Sequence, residues 1–254
     1  MLLSASRERI ERVIQAAILG LVAFGACRGA SAEPQASSPA YAQMAAGTEY
    51  LMANRAAEIS LARSAAPAAI SGSATVLTLS PKGYETAVNG TNGFTCLVER
   101  AWMSPFDNPE FWNPKLRGPV CYNPAATRSI LPITRFRTKL AQSGVPKDQM
   151  FDEIRSAIAR KELPALEPGA MSFMMSKDGY LSDAAGHWHS HLMFYVSGTD
   201  ISSWGANVHG SPVVVDDEHR KIPEQQTIFL VPVSHWSDGS WAPAAVHATQ
   251  GDDK

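Results

Sequence analysis

A chain of 254 residues with 45% hydrophobic and 18% charged side chains is long enough to bury one sizeable core, which excludes general disorder. Its 22 basic and 24 acidic residues leave a net charge of −2, so the sequence offers no electrostatic basis for binding nucleic acid. Glycine has no three-residue period, heptads are absent and only three cysteines occur, which excludes collagen-like, coiled-coil and disulfide-dense scaffolds.

Arg7, Arg9 and Arg12 precede an apolar run from Val13 to Cys27, and Ala30-Ser31-Ala32 then supplies the small residues of a signal-peptidase site. This pattern predicts a secretory signal over residues 1–32 and export to the periplasm or the medium. The run spans about 15 residues, short of the roughly 20 that a bilayer-spanning helix needs. Membrane association is therefore expected only through this segment, with lipidation of Cys27 as the weaker alternative. Cleavage would remove four arginines and two glutamates and leave a net charge of −4. In an oxidising compartment the remaining thiols, Cys96 and Cys121, are expected to form a disulfide that stabilises the fold by about 3 kcal/mol. A reactive thiol would need a nearby base, and no histidine precedes His187.

Residues 33–254 read as a single α+β domain of antiparallel strands packed by a few helices, with a candidate lobe division near 127. Ser38-Pro39 offers a helix start, and Tyr41, Ala45, Met52, Ala56, Ile59 and Ala62 mark one face of a helix that Pro67 would stop. Thr75 to Leu79, Tyr84 to Val88 and Phe94 to Trp102 then predict an antiparallel meander, turned at Pro81-Lys82-Gly83 and at Asn89-Gly90. Prolines 105, 109, 114, 119 and 124 predict a long irregular loop over 103–126, in which Phe106, Phe111, Trp112 and Tyr122 are expected to cover a sheet edge rather than form a ligand shelf. One helix is expected before Gly144. Another is expected from Lys147 to Lys161, with Met150, Phe151, Ile154, Ala157 and Ile158 as its core stripe. Strands at 171–176, 187–196, 212–215 and 227–233 complete the chain.

The chemistry-bearing feature is Gly186-His187-Trp188-His189-Ser190-His191, where histidines recur with a period of two. On a strand, His187, His189 and His191 share one face, while Trp188, Ser190, Leu192, Phe194 and Val196 form a mostly apolar reverse side. Neighbouring histidines stand about 7 Å apart and can tilt toward one ion, but the outer pair is about 13 Å apart, so a site needs a distant ligand. His209 or His235 is the expected completing ligand, with Asp183 or Asp238 as possible oxygen donors. Neutral imidazoles suit zinc or copper, and three protein ligands plus water would make a metal-dependent hydrolase. The rival reading is a non-enzymatic envelope or secreted protein whose histidines and aromatics line a small-molecule or protein surface. Ser234, His235 and Asp238 are too close in sequence to align as a triad, and no G-x-S-x-G elbow exists.

Gly90-Thr91-Asn92-Gly93-Phe94-Thr95-Cys96, the GHWHSHLMF run at Gly186 to Phe194, WGAN at Trp204 to Asn207 and VPVSHWSDG at Val231 to Gly239 together resemble a family of exported bacterial proteins of uncharacterised activity. The resemblance spans most of the mature chain and implies one co-occurring unit, but no reaction. Ser190 stands where that family's pattern has proline. The His-x-His step is also similar to the strand-borne pairs of cupins, zinc lyases and zinc peptidoglycan peptidases. No acid lies between Met193 and Gly198 to complete a cupin set, and no histidine precedes His187 to complete a peptidase one.

Overall fold

The computed structural model describes residues 41–183, 185–197, 202–215, 222–224 and 227–242. The expected signal segment, Cys27 and the Ser38-Pro39 helix start lie outside the described residues.

Helix α1 (Arg55–Arg63) is shorter than its alanine-rich stripe suggests. Asn54 caps it, its side-chain oxygen accepting from the backbone N–H of Ala56 (2.8 Å) and Ala57 (3.2 Å). Among the described residues upstream of this cap there is a single 3-10 turn, Gly47–Tyr50, so the expected helix does not run unbroken to Pro67. Alanine supplies helix propensity but little burial, and a strong local cap fixes the start instead. Helix α2 (Ala68–Ser71) follows Pro67.

Strands β1 (Thr75–Ser80) and β2 (Gly83–Val88) form the expected hairpin, with Ser80 opposite Gly83. β3 (Thr95–Glu99) departs from the expected meander: it lies on the other side of β1 and runs parallel to it. Asn89-Gly90 therefore belongs to a crossing loop. Thr91 N–H bonds Ser73 C=O (2.8 Å), and a Cβ on Gly90 would lie 2.1 Å from Thr75 N, so glycine here permits close backbone approach rather than a hairpin turn.

β4 (Gly118–Tyr122) is a second departure, a fully buried strand inside the segment expected to be irregular. Its proline is tolerated because β4 pairs with β3 along its whole length, whereas its ladder to β5 (Met171–Met174) involves only Cys121 and Tyr122. Pro119 thus owes no donor on that side. Cys96 and Cys121 face each other across β3 and β4 and form the expected disulfide. Phe111, Trp112 and Tyr122 are core residues.

Helix α3 (Pro124–Ser129) is capped by Asn123, and α4 (Leu131–Gln142) and α5 (Lys147–Ala159) match the two helices expected on either side of Gly144. β6 (His191–Val196), β7 (Val214–Val215) and β8 (Thr227–Pro232) finish an eight-stranded sheet in the order β2-β1-β3-β4-β5-β6-β8-β7, antiparallel except at β1/β3.

Alternation along the strands divides the buried side chains between two faces. Val76, Cys96, Val98 and Cys121 pack with Ala62 of α1 and Ala65 and Ala66 after it. Leu97, Val120, Tyr122, Met174, Met193 and Tyr195 pack on the opposite face with Ala126, Leu131, Ala141 and Met150 from α3, α4 and α5. Among the described residues no helix is long and apolar enough to cross a membrane.

Candidate functional site

The histidine run does not form the expected ladder. β6 begins at His191, opposite Met174, and residues 187–190 are irregular. Gly186 takes φ +72°, a left-handed conformation, and Trp188 then turns inward, its indole N–H donating to Arg117 C=O at 3.3 Å. The ring packs over two glycines: a Cβ on Gly118 would lie 3.2 Å from it, and one on Gly179 only 2.4 Å. Docking Trp188 there pulls the chain off the ladder.

Within β6 the expected faces are exchanged. Leu192, Phe194 and Val196 are half-buried, whereas His191, Met193 and Tyr195 are buried. His191 Nδ1 hydrogen-bonds His189 C=O at 2.6 Å. A carbonyl only accepts, so Nδ1 carries the proton of this bond.

The other nominated donors are dispersed or engaged. His187 and His189 are exposed, their ring centroids 6.5 Å apart, and His187 stands edge-on to Trp236. His235 is exposed and packs edge-on against Trp241, and His209 lies on an exposed loop. Asp183 accepts from Tyr180, from Tyr41 (2.5 Å) and from Lys115 (2.9 Å), and these bonds hold its carboxyl well below the usual range. Asp238 is similarly lowered by Lys177 (2.7 Å) and Ser240, and so does not orient His235. Among the described residues no three His, Cys, Asp or Glu side chains form a group that could hold a metal ion.

A different site emerges on the α3–α5 face of the sheet, where a cavity of about 610 Å³ lies between the strands, α4 and the segment after β3. Met103, Leu116, Ile130, Ile133, Met174 and Met193 give it a predominantly apolar wall. Glu99, Arg100, Glu110, Tyr122, Arg137, His189, His191, Tyr195 and Glu224 are the principal polar groups along it. Glu99 and Tyr122 project from the face that carries Leu97 and Val120, but the antiparallel register sets Glu99 opposite Gly118 and Tyr122 opposite Thr95, so their long side chains meet along the face rather than as cross-strand neighbours. The Tyr122 hydroxyl donates to Glu99 Oε1 and pairs with Thr134 Oγ1 (3.0 Å) from α4. Burial pushes the Glu99 carboxyl up to about 7, against the opposing hydrogen bond from Tyr122 and the field of Arg137. Burial likewise pushes the Tyr122 and Tyr195 phenols upward.

Arg137, one turn beyond Thr134, is occupied by structure. Its Nε and Nη2 donate to the two oxygens of Glu224, each at 2.9 Å, and its Nη1 donates to the carbonyls of Trp102, Met103 and Ser104 at 3.1–3.3 Å. Arg100, fully buried, bonds Glu58 (2.7 Å), Tyr50 C=O (2.7 Å) and Val98 C=O. Arg137 and Arg100 thus each have a carboxylate of their own, and among the described residues no cation forms an ion pair with Glu99.

The histidine spacing did not point to this site, yet signals for it exist. Thr95, Leu97 and Glu99 alternate on one face of a strand with no exposed residue, so an acid lies in a core position. Ile130, Thr134, Arg137 and Ala141 share a helical stripe, which places an arginine among buried residues.

Because Trp188 closes over Gly179, Gly179→Ala is expected to lose about 1–3 kcal/mol of stability by overpacking. Gly47→Ala, where the added methyl meets nothing within 4 Å, is expected to change stability by less than about 0.5 kcal/mol. Urea denaturation of both variants measures the difference, and equal values would show that Trp188 yields freely.

No protein-family model, curated protein or solved structure matches this chain.

Proposed function

We propose that this chain is an exported protein that binds a small, largely apolar molecule in the Glu99 cavity. The observation that carries the reading is the cavity itself: its volume falls within the range of roughly 300–1,000 Å³ common for ligand pockets, and apolar walls surround a few convergent polar groups. The basic and apolar N-terminal pattern and the cross-strand disulfide support the exported part of the reading.

N-phenyl-1-naphthylamine, a neutral aromatic probe that brightens on leaving water, tests the reading. Saturable uptake with a stoichiometry near one is expected. Met193→Trp, which adds bulk to the cavity wall, is expected to weaken uptake by about tenfold or more while the far-ultraviolet circular dichroism stays that of the parent. Absence of saturable uptake by the parent protein, or uptake unchanged by Met193→Trp, would count against this pocket.

A further inference from the structure

We propose that the cavity selects ligands carrying a protonated amine on an apolar body, with Glu99 as the counter-ion. This inference rests on the reading of the cavity as a ligand site and goes further by naming the headgroup. Glu99 Oε1 accepts from Tyr122, whereas Oε2 has no hydrogen-bond partner among the described residues. Among these residues the one sealed side-chain nitrogen or oxygen without a partner is Arg63 Nε, so Oε2 retains access to the cavity space.

Among the described residues this carboxylate lacks what makes buried charge tolerable, namely a cation of its own. Arg137 is held by Glu224 and Arg100 by Glu58, each through direct contact of under 3 Å. Among the described residues that line the cavity both guanidiniums are engaged, so fatty-acid-like or phosphate-bearing molecules gain little at this wall. An ammonium N–H directed at Oε2 supplies the missing charge and a charge-assisted hydrogen bond together. Trp188, Tyr122 and Tyr195 add ring surfaces that attract a cation, and the methionine and isoleucine wall receives the hydrocarbon part.

Calorimetric titration at pH 8 with octylamine, octanol and octanoate separates the headgroups while holding the tail constant. Octylamine is expected to bind about tenfold or more tightly than either competitor, the factor expected of a charge-assisted over a neutral hydrogen bond. In Glu99→Gln, octylamine is expected to fall to the level of octanol. Circular dichroism of the same samples ensures that the comparison concerns folded protein. Equal affinities in the parent protein, or a preference that persists in Glu99→Gln, would overturn the inference. Uptake of N-phenyl-1-naphthylamine without octylamine binding would sink the amine assignment and leave the cavity reading standing, whereas binding of neither would remove both.

Discussion

Arg137→Met is expected to lower the unfolding free energy by about 3–5 kcal/mol, the typical cost of leaving one member of a buried ion pair without its partner. Both side chains are nearly inaccessible, at 2% and 4% exposure, so solvent cannot replace the lost guanidinium. The substitution strands Glu224 and also removes the donor shared by the Trp102, Met103 and Ser104 carbonyls. Methionine fills much of the arginine volume, which confines the effect to charge and hydrogen bonding rather than a large void. Replacing Glu224 by methionine as well removes the stranded carboxylate, and the double variant is expected to recover a large part of the loss, leaving the three carbonyls as the residual cost. Urea denaturation of the parent, the two single variants and the double variant at pH 7 gives the coupling directly. A loss below about 1 kcal/mol for Arg137→Met would mean that the pair is accessible to water in solution and does not fix this cavity wall.

The parts of this architecture that were legible in the sequence are those governed by local rules. The stripe from Met150 to Ala157 produced α5, Pro81-Lys82-Gly83 produced the β1–β2 hairpin, and the paired cysteines met across neighbouring strands. What escaped was decided by long-range partners. Pro119 disguised β4 because proline is usually barred from a central strand, and only the limited β4–β5 ladder makes it acceptable there. The period-two histidines suggested a strand through 187–191, but the space left by Gly118 and Gly179 draws Trp188 inward and ends the ladder at His191. The principal polar residues of the cavity come from β3 and the segment after it, β4, α4, the 187–190 run, β6 and the 222–224 segment, so no short motif contains them. An acid in register with Leu97 was the available clue, and its meaning depended on knowing that both local arginines are taken.

Glu99→Gln is expected to stabilise the protein at pH 8 by about 3 kcal/mol and to change its stability little at pH 4. The direction follows from where the proton resides. The carboxyl titrates near 4.5 when unfolded and near 7 when folded, burial being the largest cause, so between those values the folded chain holds a proton that the unfolded chain has released. Raising the pH therefore favours unfolding across this window: the contribution of Glu99 is whole below about pH 4.5, declines from there to about pH 7, and stays lost at higher pH. A shift of this size corresponds to about 3 kcal/mol at 1.36 kcal/mol per pH unit. Glutamine keeps the shape of the protonated acid and an oxygen to accept from Tyr122, but never ionises, so its stability has no such decline. Asp183 and Asp238 act in the opposite sense: their lowered values favour the folded state at neutral pH and lose that effect as acid protonates them, equally in parent and variant. The difference between the two chains, followed by urea denaturation from pH 4 to 8, thus isolates Glu99. A constant difference across that range, or a variant less stable than the parent at pH 8, would show that the Glu99 carboxylate is already compensated in the folded protein and has no unfilled need for a cationic ligand.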